Sequence, residues 1–217
     1  MGARVFIYCE RGLDGGFWAE PLNAVTNGAF VLAGLAAWAM LLARTETRRS
    51  IPLHFLALLM VTIGIGSFLF HTLATRGAAI ADVAPIGVFM VFYFVLACSW
   101  FIRLPAWGTA LATAGFVCLL ALSRVLPCPG GVCLNGSVGY LPAFLAMAAI
   151  GVLLAVRRHA AAWSLLGAAA LFALSLIFRT VDREVCDAVS FGSHFAWHLL
   201  NAAVLFVLAR AAIRYRS

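Results

Sequence analysis

Lysine is absent from this sequence, and charged residues occupy only 11% of its 217 positions. All 15 basic residues are therefore arginine, which, with the abundance of alanine, we interpret as a sign of a GC-rich bacterial genome. So few charges exclude a soluble globular domain of this size, because its surface would need more polar groups. The pI near 9.6 does not indicate nucleic-acid binding, because the arginines lie in short segments between apolar runs and form no basic stripe.

Long apolar runs are what the sequence has instead. Hydrophobic residues make up 65% of the chain, and the mean hydropathy is +1.04, as is typical of a protein embedded in a bilayer. In lipid every backbone polar group must be satisfied internally, which leaves a helical bundle or a closed barrel. The runs are about 20 residues long and do not alternate, which excludes the barrel. The sequence therefore predicts an all-α membrane protein, a seven-transmembrane helix bundle.

Seven windows are long and apolar enough to cross a membrane. They are Asn23–Ala43, Pro52–Leu73, Asp82–Ile102, Ala106–Leu126, Val138–Val156, Ala160–Arg179 and Gly192–Ala212. The connections between them are short, so we expect a single domain over residues 1–217. Residues 1–22 are expected to form an outer segment packed over the mouth of the bundle.

The distribution of charges predicts the orientation of this bundle. With the N-terminus outside, nine arginines fall on the inner side and six on the outer side, as the positive-inside rule favours. Seven of the eight acidic residues then fall on the outer side, and only Glu46 falls inside. We therefore expect the N-terminus outside and the C-terminus inside.

Cysteines are concentrated on the same outer side. The four outer cysteines are Cys9, Cys128, Cys133 and Cys186. We predict two disulfides, Cys128–Cys133 around a Pro-Gly-Gly turn and Cys9–Cys186 between the N-terminal segment and the last outer loop. A structural metal site is the alternative, and it is less favoured because Cys128 and Cys133 are isolated from the other two. Cys98 and Cys118 lie within spans, where a thiol is ordinary apolar packing.

Ionisable groups at membrane depth are costly and therefore indicate a function. Ser67 and His71 are four residues apart near the outer end of the second span, and His194 and His198 are four apart at the outer start of the seventh. Residues at this spacing share one helix face, so both pairs can point into the bundle. Asp82 opens the third span at the same depth. Three histidines and a carboxylate therefore converge at one level.

Three neutral imidazoles and a water are the ligands of a catalytic zinc ion, which makes the water a nucleophile and polarises a carbonyl. Asp82 could then transfer the proton, and Ser67 could donate a hydrogen bond to the oxyanion. The structural alternatives are a Ser67 hydroxyl bonded to its own helix and an Asp82 carboxylate that caps the third span. His54 and His159 lie near inner basic loops, and we interpret them as packed, hydrogen-bonded side chains.

The N-terminal segment offers further oxygen ligands above the same level. Glu10, Glu20 and Asn23 could contribute to a calcium site, which needs six to eight oxygens. They could equally cap the first span, because Pro21 suits a helix N-terminus and the charge of Glu20 suits the helix dipole.

The ordered set of these motifs resembles the alkaline ceramidases, which belong to a superfamily of seven-span metal hydrolases that includes the progestin and adiponectin receptors. The resemblance extends from about Tyr8 to His198. Its motifs are Glu20-Pro21-Leu22-Asn23 with Thr26-Asn27, Ser67-x-x-x-His71-Thr72, Asp82-x-x-Pro85, Asp182-x-x-x-Cys186 and His194-x-Ala196-Trp197-His198.

The resemblance implies that zinc is held by three ligands, His71, His194 and His198, with Ser67 and Asp82 as catalytic partners. It also implies a Cys9–Cys186 disulfide and hydrolysis of the ceramide amide to a sphingoid base and a fatty acid. The eukaryotic relatives bind calcium through an Asp-Trp-x-Glu-x-Asn stretch and a later glutamate. Glu10 and Glu20 match two of these positions.

This chain departs from the family pattern at three positions. Ile7 and Gly12 stand where the family has the aspartate and asparagine of the calcium motif. Val83 follows Asp82 where the family usually has a second acid, which changes the charge of the site but not the set of ligands.

The leading hypothesis is a zinc-dependent intramembrane amidase, a hydrolase of linear amide bonds, acting on ceramide or a related N-acyl lipid. Its partner would be a membrane lipid and not nucleic acid. We expect a bacterial inner membrane, with the site near the periplasmic face. One alternative is a non-catalytic receptor-like or structural seven-span protein with a bracing metal. A haem-binding electron carrier is less favoured, because three histidines cluster where two should face each other across a plane.

Overall fold

A computed structural model describes residues 4–125, 128 and 133–216. In this part of the chain, every regular element is helical, and seven helices are long and apolar enough to cross a bilayer. They are α1 (Pro21–Leu42), α2 (Ile51–Leu73), α3 (Arg76–Ile102), α4 (Ala106–Val125), α5 (Leu134–Val156), α6 (Ala162–Val181) and α7 (His194–Tyr215). The predicted helical class and the seven spans are confirmed. Predicted span end Leu126 and the Pro-Gly-Gly turn after Cys128 lie outside the described residues.

Three of these helices are irregular. α1 is interrupted at Asn27, which separates Pro21–Thr26 from Gly28–Leu42. α3 is α-helical over Arg76–Leu96 and ends in a π-helical turn, Ala97–Ile102. α5 begins as a 3₁₀-helix over Leu134–Tyr140 and continues as an α-helix over Leu141–Val156.

The start of α3 corrects one expectation. Asp82 does not cap the third span, because this helix begins six residues earlier, at Arg76, and Thr75 holds the N-cap position. The Thr75 hydroxyl accepts a hydrogen bond from the backbone N–H of Ala78 at 3.2 Å. Asp82 therefore lies in the second turn of α3, within the bundle. The sequence suggested a boundary at the carboxylate because charges usually mark the ends of spans.

The seven helices form a closed ring in chain order. Each helix packs against the next, and α7 returns to pack against α1 and α2. α2 and α7 are the most enclosed members, and α4 is the least. Functional groups on α2 and α7 are therefore shielded from the surroundings on most sides.

The outside of the ring is apolar. Leu32, Ile80, Leu111 and Trp163 are each at least two-thirds exposed, on α1, α3, α4 and α6. A soluble monomer rarely exposes contiguous apolar surface on this scale. The chain is an integral multi-pass membrane protein.

Both predicted disulfides are present. Cys9 is bonded to Cys186, and Cys128 to Cys133. The first joins the N-terminal segment to the loop between α6 and α7, so this segment lies across one end of the bundle. Cys98 and Cys118 are free thiols within α3 and α4, as expected.

Candidate metal centre

The three histidines of the sequence motifs meet at one end of the bundle. His71 lies in the last turn of α2, and His194 and His198 lie in the first turns of α7. One ring nitrogen from each can be chosen so that all three lie within 4.8 Å of one another, and each side chain is about 1% exposed. We refer to them as the histidine cluster. The convergence expected from the i, i+4 spacing is found across two helices that are distant in sequence.

Each ring of the histidine cluster has one buried nitrogen with no hydrogen-bond partner among the described residues. These atoms are Nε2 of His71, Nδ1 of His194 and Nε2 of His198. A buried polar atom without a partner is costly, so it needs an explanation. Three imidazole nitrogens within mutual reach are the donor set that zinc prefers in open, three-ligand sites. The residues present therefore fit a zinc ion.

The opposite ring nitrogens are held by residues from the start of α1. Glu20 hydrogen-bonds to Nδ1 of His71, and the Thr26 hydroxyl pairs with Nδ1 of His198 at 2.9 Å. Thr26 donates its own proton to the carbonyl oxygen of Leu22 at 2.8 Å, so it accepts the proton of the imidazole. The Nε2 lone pair of His198 is then free to bind a metal. Such partners fix the tautomer and orientation of metal-binding histidines.

The roles of Glu20 and Thr26 were missed by sequence reasoning. Glu20 had been assigned to calcium or to the helix dipole, and Thr26 had no assignment beyond the motif. The signal in the sequence is their spacing with Asn23, which puts three polar side chains at every third position of an otherwise apolar helix start.

Asp82 and Ser67 lie beside the histidine cluster. Both line the cavity that His194 and His198 also line. Ser67 faces Asp82 across the contact between α2 and α3. Gly66 makes this approach possible, because a Cβ atom there would overlap the backbone carbonyl of Ala81. The structure thus brings together all five residues predicted to form the site.

Arg179 is a further charged residue in this cavity, and sequence reasoning counted it only as an outer arginine. Its guanidinium donates to the Tyr8 hydroxyl at 3.0 Å and lies over the rings of Tyr140 and Trp197 at 5.4 and 5.2 Å. Its Nε–H is buried, with no acceptor in the part of the chain that the structure describes. The signal in the sequence is a charge inside the last turn of an apolar span.

Tyr8 covers the cluster from the N-terminal segment. Its ring stacks on His194 with 3.6 Å between ring centroids. Burial raises the pKa of the Tyr8 phenol well above its usual value, and the nearby Arg179 opposes this only in part. The phenol is therefore neutral at physiological pH and acts as a hydrogen-bonding wall of the cavity.

Asp182 holds the start of α7 in place. Its Oδ1 accepts the backbone N–H groups of Ser193 at 2.8 Å and His194 at 2.9 Å, and its Oδ2 accepts that of Cys9 at 3.1 Å. Gly192 precedes them with φ +63°, and a Cβ atom there would overlap Asp182. One fully buried carboxylate therefore links the disulfide-bonded segment to the first histidine of α7.

Glu10 caps α1. Its two oxygens accept the backbone N–H groups of Leu22 at 2.7 Å and Asn23 at 2.8 Å. Partial burial raises the pKa of Glu10, although these N–H groups lower it. The capping interpretation thus describes Glu10. Glu20 occupies the N-cap position without capping through its side chain.

Glu20 is held between two cationic or hydrogen-donating partners. Burial favours its neutral form, but hydrogen bonds and charge from His71 and Arg11 outweigh this and lower the pKa of the Glu20 carboxyl. Glu20 is therefore a carboxylate at neutral pH. Calcium at Glu10 and Glu20 stays a prediction.

His54 and His159 lie at the opposite end of the bundle. His54 pairs with the carbonyl oxygen of Arg48 at 2.8 Å, and Nδ1 of His159 accepts the backbone N–H of Ala161 at 3.1 Å. Their interpretation as packed, hydrogen-bonded side chains is confirmed.

A second cavity, lined mostly by apolar side chains, lies next to the site cavity. It shares part of its lining with the site cavity, including Phe30, Tyr140 and Trp197. Along α7 it extends from Trp197 to Leu208, a distance of roughly 16 Å at 1.5 Å per helical residue. The polar site therefore adjoins an apolar cavity within the bundle.

No protein-family model matches the chain, and no curated protein matches it. The resemblance to alkaline ceramidases rests on the motif residues, and the family stays a prediction.

Proposed function

We propose that this protein is a zinc-dependent intramembrane amidase that hydrolyses ceramide or a related N-acyl lipid to a sphingoid base and a fatty acid. The observation that carries the proposal is a cluster of three buried histidines beside Ser67 and Asp82 and next to an apolar cavity. Each of these histidines has a ring nitrogen without a partner in the part of the chain that the structure describes.

The histidine cluster would hold the zinc ion, and Glu20 and Thr26 would orient two of its rings. When bound, zinc supplies a Lewis acid for the carbonyl oxygen and lowers the pKa of a water molecule. Hydrolysis then requires a proton acceptor, a proton donor for the leaving amine and groups that stabilise negative charge on the carbonyl oxygen. The chain has a residue for each of these tasks.

Asp82 is suited to the transfer of protons. In the second turn of α3 its carboxylate can accept a proton from the attacking water and deliver it to the nitrogen of the breaking amide bond. Ser67 orients this carboxylate and can turn its hydroxyl towards the carbonyl oxygen. Water adds to the carbonyl carbon, the amide C–N bond then breaks, and the products are a carboxylic acid and an amine.

Arg179 is suited to the stabilisation of the negative charge that develops on the carbonyl oxygen. Its Nε–H is buried beside the site and available as a donor. A fixed positive charge in an enclosed, water-poor site stabilises such an oxyanion more strongly than it would in water.

The apolar cavity supports a lipid as the substrate. An acyl chain could extend along α7 from Trp197 towards Leu208 while the amide lies at the level of the histidine cluster. Burial of each methylene contributes about 0.8 kcal/mol, so a long chain would supply much of the binding energy. We propose a bacterial inner membrane with the N-terminus and the site near the periplasmic face, because the arginine distribution favours this orientation.

A non-catalytic seven-span protein braced by a metal is the second candidate. It is supported by the position of His71 on α2 and of the other two histidines on α7, since an ion would cross-link the two most enclosed helices. In this case Asp82 and Ser67 would have no reaction to perform.

The two candidates are separated by metal analysis and lipid mass spectrometry. Purified protein is expected to contain one zinc per chain and to release fatty acid from a mixture of N-acyl lipids. His198→Ala should lose both properties, while His54→Ala, a histidine at the opposite end, should keep them. Wild-type protein without zinc, or His198→Ala protein that hydrolyses ceramide at the full rate, would refute the amidase. Zinc without turnover of any N-acyl lipid would favour the bracing metal.

A further inference from the structure

Arg11 is a buried arginine in the N-terminal segment, surrounded by oxygen atoms. Its side chain is fully buried. Nε donates to a carboxylate oxygen of Glu20, Nη2 donates to the carbonyl oxygen of His71 at 2.7 Å, and Nη1 donates to the carbonyl oxygens of Gly16 at 3.0 Å and Asp14 at 3.2 Å. One guanidinium therefore gathers four oxygens from two separate parts of the chain.

These acceptors are of the kind that a calcium ion uses, namely carboxylate and backbone carbonyl oxygens. The other oxygens expected for calcium are engaged or missing. Both oxygens of Glu10 accept backbone N–H groups of α1, and Ile7 and Gly12 have no side-chain oxygen. The residues present do not fit a calcium ion, because a permanent cation already holds the carboxylate that calcium would bind.

We propose that Arg11 is a built-in cation that replaces calcium beside Glu20, and that it positions Glu20 against His71. Guanidinium is always protonated, and its planar donors can contact several oxygens at once. A buried carboxylate without a cation would be strongly destabilising. Arg11 compensates the charge of the Glu20 carboxylate, and its bond to one carboxylate oxygen leaves the other directed at His71.

The connection to the carbonyl of His71 adds a mechanical role. Arg11 lies only two residues after the disulfide-bonded Cys9, and it links the N-terminal segment to the last turn of α2. It touches neither the substrate cavity nor the proposed reacting atoms, so it is a positioning residue. Its effect should appear in the affinity for zinc, since loss of such outer partners typically lowers metal affinity 10- to 100-fold.

The test compares wild type, Arg11→Ala, Arg11→Lys and Arg4→Ala in detergent without reductant. Arg4 is the matched control, because it is an exposed arginine of the same segment that bonds to the carbonyl of Gly15. Zinc affinity is measured by competition with a chromogenic chelator, and calcium binding by calorimetry with magnesium as the control ion.

Wild type is expected to bind no calcium, and its thermal unfolding should be the same in calcium and in EGTA. Arg11→Ala should bind zinc about tenfold more weakly, and calcium or ethylguanidinium should restore part of this affinity. Arg11→Lys should fall between wild type and Arg11→Ala, because an ammonium group cannot span the same four oxygens. Arg4→Ala should match wild type.

Stoichiometric calcium binding by wild type would overturn the proposal, and this measurement does not require any variant to fold. Unchanged zinc affinity in Arg11→Ala, or a loss that neither calcium nor ethylguanidinium reverses, would also overturn it. None of these measurements uses lipid turnover. A failure of the proposed amidase function would therefore be distinguishable from a failure of this inference.

Discussion

The two ends of the bundle both hold histidines, but the ring nitrogens of these histidines are in different situations. At the end opposite the candidate centre, His54 and His159 are half-buried, and each uses a ring nitrogen to bond a backbone group close in sequence. In the histidine cluster, each ring has a buried nitrogen without a partner among the described residues. Local pairing is typical of a structural histidine, whereas three buried imidazoles that converge from two helices, each with an unpartnered nitrogen, are typical of a metal site.

The same contrast runs along α7. Its first turns present His194, His198 and the buried Asn201 to the interior, while its last turns bury Ala211 and Ala212 almost completely. Small side chains let helices approach closely in a membrane. The C-terminal turns of α7 thus pack against neighbouring helices, and its N-terminal turns contribute residues to the candidate site. Three predictions test how far this division holds.

The largest effect is expected at Asp82. Asp82→Asn keeps the size of the side chain but removes its ability to accept a proton, so turnover of N-acyl lipids should fall about 10²- to 10⁴-fold. Zinc content and thermal unfolding should stay near wild type, because the carboxylate is not among the proposed metal ligands. Fatty-acid release and metal analysis on the same preparation provide the measurement.

Glu46→Gln is the control for Asp82→Asn, because it removes an exposed acid from the opposite end and should leave turnover unchanged. Full activity in Asp82→Asn would contradict the proposal that the acid beside the histidine cluster, unlike the acid at the opposite end, takes part in catalysis.

The next effect is expected at the disulfides. Cys9–Cys186 closes a segment of 177 residues and Cys128–Cys133 one of 5, so removing the first should cost more stability, on the order of 2–4 kcal/mol. The paired variant Cys9→Ser with Cys186→Ser should unfold at lower temperature and also bind zinc more weakly, because Cys9 and Asp182 together hold the start of α7.

Cys118→Ala serves as the control for the disulfides, since this free thiol is exposed on α4. Equal loss of stability from the two disulfides, in thermal melts followed by circular dichroism, would contradict the prediction.

The smallest effect is expected at Gly66. Gly66→Ala places a methyl group against the backbone of Ala81, and the rigid backbone must move. The two helices should separate, with a cost of about 1–3 kcal/mol, and turnover should fall as Asp82 moves away from Ser67. Thermal unfolding and fatty-acid release are the measurements.

Gly87→Ala on α3 is the matched control, because among the described residues no atom outside its own stretch of helix lies within 4 Å of the added methyl group. It should leave stability unchanged or raise it by up to about 1 kcal/mol through helix propensity. If both glycines tolerate alanine, the close contact between α2 and α3 is not required at the site.

The spans and the histidine pairs were predictable because they depend on local properties. The length of an apolar run decides whether a segment can cross a bilayer, and a spacing of four residues puts His194 and His198 on one helix face. The predicted start of α3 differs from the observed one because a carboxylate in an apolar run resembles the boundary of a span. Asp82 instead lies buried in the second turn of a helix, where it lines the same cavity as Ser67 and His198.

By itself, the sequence determined the number of helices, the disulfide partners and the chemical types available at one end of the bundle. Only the tertiary structure decided that Glu20 pairs with His71, that Arg11 reaches the carbonyl of His71, and that Arg179 enters the site cavity. Glu20 and Arg11 lie 51 and 60 residues from His71. The partner of a buried charged residue depends on which residues the packing of the helices places beside it. No local sequence pattern specifies a partner that lies so far away in the chain.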